Sequence, residues 1–412
     1  MAPLTPIELD ELRARVLQFL ADTPYACSSI APISGGSVNF VFRGLLCEPQ
    51  TLPRSTTQDA SPEAAARTVV IKHGAGFLFA NRDFQLDVTR CFYEETMLHA
   101  LNDFSSTTAN ITTPRLLLFD PKTSTQVLED IPDATDLKSF LLQHANSQSP
   151  ARPLGARAAA SIGYGLGSWL RSLHDWSSGT VQENLRNQLA RNAGMRELKC
   201  RVTDVAFQTL LENFPDLLDG RAPTLERVRH WMREDFEKPV LKTADGLEWG
   251  VIHGDFWTGN VLLPVQTSRS PVRLVVIDWE FAQIGHRAYD LGQMVGDLYE
   301  RHHFHSVDSS LAILGEFVRG YRGSDGSLSD ELAFRTVIHA GVHLIGRFTR
   351  RPPNGRLADP QDKLSGAMGL ARDWILKGWE RDREWFGRSA LAPLFKRQQP
   401  EAYSGRATFS IS

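Results

Sequence analysis

Three polar residues set in an apolar run carry the clearest chemistry in this chain. Val251–Leu263 reads VIHGDFWTGNVLL and places His253, Asp255 and Asn260 in the order H-x-D-x-x-x-x-N. Downstream, Leu274–Ile277 reads as a short apolar strand that ends in Asp278, Trp279 and Glu280. Phosphoryl transfer uses such a set. It needs a carboxylate near the attacking hydroxyl and oxygen ligands for Mg²⁺, a hard cation held by a few side chains plus the substrate's phosphates. Asp255 is the candidate catalytic carboxylate, Asn260 the neutral metal ligand and Asp278 the charged one. Val261–Leu263 and Leu274–Ile277 read as strands joined by a polar turn. A hairpin there would bring Asn260 and Asp278 to neighbouring strand ends.

The elements that must serve this loop lie upstream. Thr68–Lys72, TVVIK, reads as a strand ending in a lysine, the V-A-I-K pattern in which Lys holds the nucleotide's phosphates. A lysine at a strand end needs a partner, and the helix around Asp87–Leu101 supplies Glu94. Cys91, Met97, Leu98 and Leu101 share its helical face. An acid on an apolar stripe needs a counter-charge to be buried, and Lys72 is the natural one. Before them, Ile33–Gly44 reads ISGGSVNFVFRG. Gly35 and Gly36 mark a tight turn, and Val38, Phe40 and Phe42 alternate as on a strand. Such a turn can let backbone N–H groups approach phosphates, which makes Gly35, Gly36, Ser37 and Asn39 nucleotide candidates. Leu116–Phe119 and Thr125–Leu128 read as further strands. The crossover after them, with Glu129 and Ile131, sits where an adenine-binding hinge belongs by order along the chain.

From Asp136 the texture turns helical. Ile162, Leu166, Trp169, Leu170 and Leu173 form one apolar face ending at His174, expected to be a structural histidine. Asp290–Leu291–Gly292 opens a helix after the metal strand, where a carboxylate can accept hydrogen bonds from the catalytic-loop backbone; His253 and Asp290 are thus structural supports. His302, His303 and His305 are expected on a surface loop. The helix Val337–Arg351 ends in basic residues. Arg347 and Arg351, with Arg350, either complement its dipole or reach the acceptor. Gln361–Phe386 reads as one final helix, Glu48–Arg67 as a loose insertion, and the segment after Lys396 as a flexible tail.

Bulk properties exclude several classes. The chain has 412 residues, is 42% hydrophobic and 23% charged, and carries a net charge of −3. That charge offers no general attraction to nucleic acid or an anionic membrane. No run reaches transmembrane length, and no basic segment precedes an apolar one at the N-terminus. Four scattered cysteines without C-x-x-C spacing suit free thiols in a reducing cytoplasm.

VIHGDFWTGNVLL together with VVIDWEFAQIGHRAYDLG resembles the aminoglycoside phosphotransferase and choline kinase superfamily, and within it the methylthioribose kinase branch. ISGGSVNFVFR resembles that branch's glycine-turn strand, and the similar hydroxytryptamine kinase also carries a DWE triplet and a W-x-G-N loop. The resemblance spans roughly Pro6–Arg351. It implies an α+β, two-lobed protein-kinase-like fold. Residues 1–130 would form a nucleotide-binding lobe with an antiparallel sheet, residues 131–395 a mainly helical catalytic lobe, and residues 396–412 the tail. It implies ATP and Mg²⁺ as cofactors, a small-molecule hydroxyl acceptor and, as in related proteins, a homodimer. By the same resemblance Asp255 is catalytic, Asn260 and Asp278 hold Mg²⁺, and Glu280 lies at or near a second metal. Lys72 holds phosphates and Glu94 pairs with it. Methylthioribose kinases typically have Ser where this chain has Asn260 and Pro where it has Trp279, so the resemblance implies a hydroxyl acceptor of the methylthioribose, aminoglycoside or hydroxytryptamine kind and does not single out methylthioribose itself.

Two other readings compete. A non-catalytic nucleotide-binding scaffold would lack one of these groups, and none is missing. A protein kinase needs a long activation segment, whereas eleven residues separate Asp278 from Asp290. Trp257, two residues beyond Asp255, is the candidate flat wall for the acceptor. Trp279 is expected to pack inward.

Overall fold

Thr5 starts the chain's first helix with a reciprocal cap: its hydroxyl accepts from the Glu8 amide while the Glu8 carboxylate accepts from the Thr5 amide. This helix, α1 (Pro6–Ala21), buries Leu12, Val16 and Leu20. They pack with Ile30, Phe40, Phe42, Val69, Ile71 and Val127 in one apolar cluster. The computed structural model describes residues 4–33, 38–51, 65–78, 81–106, 108–145, 154–238, 248–264, 272–323, 326, 328–350 and 359–396.

The sheet beneath α1 is antiparallel throughout. It comprises β1 (Cys27–Pro32), β2 (Phe40–Gln50), β3 (Ala66–His73), β7 (Leu116–Asp120) and β8 (Thr125–Glu129), in the order β1-β2-β3-β8-β7. Alternation along β2 buries Phe40, Phe42, Gly44 and Leu46 and exposes Arg43, Leu45 and Cys47. The register sets Lys72 between Val41 and Gln126. A small hairpin, β4 (Phe77–Leu78) with β5 (Asn81–Gln85), leads to α2 (Arg90–Leu101).

The rest is mainly helical. β6 (Ile111–Thr112) and β9 (Thr135–Asp136) flank a hairpin of β11 (Val261–Leu263) and β12 (Leu274–Val276) in the order β6-β12-β11-β9, and β10 (Trp249–Ile252) pairs with β13 (Gln283–His286). Around these small sheets lie α3 (Leu137–Gln143), α4 (Ala156–Ser178), α5 (Glu183–Leu189), α6 (Ala193–Asn213) and α7 (Ala222–Glu237). After them come α8 (Ala288–His305), α9 (Asp308–Arg322), α10 (Asp330–Arg350), α11 (Gln361–Trp379) and the short α12 (Arg383–Gly387). The fold is thus α+β, with an N-terminal antiparallel sheet and a helical C-terminal part.

α4 and α9 cross backbone to backbone. A Cβ at Gly163, Gly167 or Gly320 would fall on the carbonyl oxygens of Ile313, Phe317 or Tyr164. Glycine is required by that approach and not by dihedral freedom.

Several sequence expectations shift. His302, His303 and His305 form the last turn of α8 instead of a loop, and the His303 Nε2 lies 2.7 Å from the Lys363 carbonyl. The expected single helix Gln361–Phe386 is broken at Arg381, whose φ is 56°. β2 extends to Gln50, into the stretch read as an insertion. Among the described residues no helix is long and apolar enough to cross a membrane.

Candidate active site

The catalytic loop is suspended from a buried carboxylate. Asp290, in the first turn of α8, accepts from the His253 amide at 2.8 Å and the Gly254 amide at 2.9 Å. Behind it, His174 of α4 lies 3.1 Å from Asp290 through Nε2 and 2.8 Å from the Tyr321 hydroxyl of α9 through Nδ1. Gly254 has a φ of 78°, and a Cβ there would meet the Phe281 backbone. His253 points inward. Its Nδ1 accepts from the Asp255 amide at 3.2 Å, which leaves Nε2 to donate to the Ile277 carbonyl at 3.0 Å. Burial depresses the pKa of both histidines, so the suspension is built from neutral rings.

Asp255 is held on both oxygens. Oδ1 accepts from the Gln293 amide at 2.5 Å and lies 3.4 Å from the Lys199 ammonium. Oδ2 accepts from the Trp257 indole at 3.2 Å and the Asn260 amide at 3.0 Å. Burial raises the pKa of this carboxyl, but Lys199 and the Gln293 amide pull it down and hold the group below the usual range. Asn260 faces the metal strand through the β11–β12 hairpin. Its carbonyl accepts from the Ile277 amide at 3.0 Å, so Asp278 follows directly beside it. Asp278 adopts the left-handed conformation, φ 69° and ψ 63°, which turns the chain into a 3-10 turn at Trp279–Phe281.

A second cluster joins the sheet to this turn. Lys72 donates to Glu94 at 2.9 and 2.7 Å and to Asp278. The Trp279 amide adds a 3.2 Å bond to Glu94. Burial alone would lower the lysine's pKa, yet Asp278, Glu94 and Glu280 raise it well above its ordinary value. Burial raises Glu94 against the pull of Lys72. Glu280 is fully buried, and one oxygen accepts from Asn39 at 2.7 Å and Arg90 at 3.0 Å. Its other oxygen, Oε1, is buried without a hydrogen-bond partner. Glu94, Asp278 and Glu280 bring carboxylate oxygens within 4.8 Å of one another. This donor set and the orphaned Oε1 suit a hard divalent cation.

Other predicted residues fare differently. Asn39 is buried, its amide donating to Glu280 and its carbonyl accepting from Arg90 at 2.8 Å, so it ties the sheet to the turn. Gly35, Gly36, Ser37 and Arg351 lie outside the described residues. Glu129 ends β8 and accepts from Arg115 at 3.0 Å, and Ile131 begins the turn into β9 and α3. Arg347 is corrected outright. It is buried, each of its three nitrogens donates to Glu300 or Asp359 and its face stacks on Phe304, so the side chain is committed to an internal ion-pair network. Asp297 and Glu300, which with His343 form a second acid cluster, are likewise occupied: Arg301 and Thr258 hold the two oxygens of Asp297, and Arg301 with Arg347 on one side and Arg350 on the other hold those of Glu300. Trp257 is half-buried, lies over Gly259 and has the Lys138 ammonium 5.3 Å from its ring. Trp279 is fully buried against His253 and Trp169, though on a 3-10 turn instead of a strand.

Arg90, Lys199 and Gln293 were not foreseen. Arg90 stands four residues before Glu94 and Gln293 three after Asp290, so helical spacing already put each on the face of a residue singled out. Lys199 comes from α6, and nothing local marks it.

The chain belongs to the phosphotransferase enzyme family, whose model matches residues 89–329. It is 29% identical over 413 residues to the phosphotransferase FrzJ of a Cladobotryum species, an alignment covering 95% of this chain and 98% of that one. To the 4-hydroxytryptamine kinase of Psilocybe cyanescens it is 22% identical over 280 residues, covering 66% of this chain and 68% of the other. Among solved structures, a choline/ethanolamine kinase family protein from Mesorhizobium loti overlays with a TM-score of 0.44 at 14% identity, covering 94% of this chain and 99% of that one. The protein is a phosphotransferase acting on small molecules.

Proposed function

We propose that the protein transfers the γ-phosphate of ATP, with Mg²⁺, to a hydroxyl of a small-molecule acceptor. One observation carries this reading: the Lys72 ammonium is clamped between Glu94 and Asp278, and Asp278 follows the strand that pairs beside Asn260, whose amide holds Asp255. The candidate phosphate-binding cation, metal acids and catalytic carboxylate thus belong to one connected set of contacts. Lys72 would bind the α- and β-phosphates. Asn260, Asp278 and Glu280 would hold Mg²⁺, which when bound neutralises charge on the β- and γ-phosphates. Asp255 would orient the acceptor hydroxyl in line with the γ-phosphorus and receive its proton as the bond to ADP breaks.

In this reading residues 1–130 hold the nucleotide, with the adenine against Glu129–Ile131, and residues 131–395 hold the acceptor. The acceptor is a hydroxyl-bearing molecule of the methylthioribose, aminoglycoside or hydroxytryptamine kind. The relative named for 4-hydroxytryptamine favours a hydroxylated amine. The four free cysteines suit a cytoplasmic setting.

The test is ADP release across a panel of hydroxylated amines and sugars. Asp255→Ala is expected to abolish transfer to any acceptor found while MgADP still binds. Unchanged turnover in that variant would sink the mechanism.

A further inference from the structure

Lys199 is the one ion-pair partner of Asp255 among the described residues, and it is held loosely. Its ammonium lies 3.4 Å from Asp255 Oδ1 and 3.5 Å from the Gln293 side-chain oxygen, both at the edge of hydrogen-bonding range. The Gln293 amide, by contrast, is 2.5 Å from the same Oδ1. The third neighbour of the ammonium is the face of Phe281, 5.1 Å to the ring centroid. Only 12% of the Lys199 side chain is exposed.

The surroundings fix the base of this lysine and leave its tip free. Met195 and Leu198 of α6 pack with Leu86 and Phe281 in a small apolar cluster, which seats this part of α6 against the turn that follows Asp278. The ammonium therefore lies beside Asp255 and over the ring of Phe281, the last residue of the turn that follows Asp278. In the proposed reaction the transferring phosphoryl group reaches the acceptor oxygen held by Asp255, so it would come within reach of this ammonium. An acceptor oxygen bonded to Asp255 sits within about 3 Å of it, and the phosphorus about 3–3.5 Å beyond. A four-carbon stem covers that step by rotamer changes alone.

We propose that Lys199 is a mobile phosphoryl-stabilising cation. Without substrate it neutralises Asp255 at Oδ1. When the acceptor hydroxyl takes that oxygen, the ammonium turns to the equatorial oxygens of the γ-phosphoryl group. The step balances without another reactant. The acceptor oxygen bonds to phosphorus, the bond to the bridging oxygen of ADP breaks, and the hydroxyl proton passes to Asp255. Lys199 keeps its proton throughout and offsets the charge spread over the phosphoryl oxygens. Gln293 stays on the carboxylate as its fixed positioning residue.

This inference rests on the kinase reading, and the experiment separates the two. The probes are MgADP alone and MgADP with fluoroaluminate, whose planar anion mimics the phosphoryl group in flight; affinities are read by calorimetry for the full chain. Wild type is expected to bind the fluoroaluminate complex about 10²-fold more tightly than MgADP, as for transition-state mimics generally. Lys199→Met is expected to lose most of that preference while its MgADP affinity and melting temperature stay near wild type. Lys199→Arg is expected to restore part of it. A Lys199→Met protein that keeps the preference overturns the proposal, as does one that loses MgADP affinity in parallel. A wild type without the preference overturns it too. A wild type that fails to bind MgADP at all refutes the kinase reading itself.

Discussion

Asp290→Ala is the sharpest probe of how the catalytic loop is held. The carboxylate is fully buried and accepts from two loop amides, at 2.8 and 2.9 Å, with His174 on the same oxygen as the shorter bond. Alanine leaves both amides and one imidazole nitrogen without a partner. Each stranded buried group costs about 1–3 kcal/mol. Removing a buried carboxylate returns part of this, since its own desolvation disappears. The net expectation is a loss of roughly 3–5 kcal/mol, against a total stability of about 5–15 kcal/mol for a typical domain. Differential scanning fluorimetry should show a fall in melting temperature on the order of 10 °C. Turnover should fall at least tenfold at temperatures where the variant stays folded, because Gly254 and Asp255 lose their anchor. Asp290→Asn keeps one acceptor oxygen and should fall between the two. A melting temperature within about 2 °C of wild type, with full turnover, would refute the suspension.

Three further outcomes follow from the geometry. Glu94→Gln leaves the buried Lys72 with a weaker clamp, so turnover should drop at least tenfold and the ATP KM should rise; initial-rate kinetics over an ATP series would expose a variant that behaves as wild type. Trp257→Ala removes an indole bonded to Asp255 Oδ2, and its acceptor KM should rise far more than its ATP KM; equal losses would assign the ring to anchoring the loop. His174, His253, His286, His339 and His343 all have pKa values depressed by burial. A base depressed in the folded state stabilises fully above its unfolded pKa of about 6.5 and loses that stabilisation as pH falls below it. The melting temperature should therefore be flat above about pH 7 and decline between about pH 6.5 and 5, and a flat acid limb would contradict this.

Much of the site was legible because its parts obey short-range rules. The spacing of His253, Asp255 and Asn260 and the apolar strands around them required only local pattern. Glu94 on an apolar helical stripe demanded a cation, and Lys72 is 2.7 Å away. Asn39 misled because a polar residue beside a glycine turn looks like a ligand contact, whereas the nearby buried Glu280 and Arg90 absorb it. Arg347 misled in the same way: charge at a helix end reads as available, but its neutralisers Glu300 and Asp359 come from elsewhere in the chain. Lys199 was invisible because its partner is brought to it only by tertiary packing. The short strands β6 and β9 were missed since two residues carry no period.

The glycine crossing of α4 and α9 bears on which positions of this enzyme can vary. Gly163, Gly167 and Gly320 touch no reactive group, and on a sequence they look like spacers. Yet α4 carries His174 and α9 carries Tyr321, whose mutual bond continues to Asp290 and the catalytic loop. A single added methyl would wedge the helices apart and be felt at the far end of that chain. A mutational scan should therefore find these bland residues less tolerant than many charged ones nearer the cleft. Laboratory evolution toward a new acceptor would do best to leave this crossing alone and vary residues facing Asp255 instead.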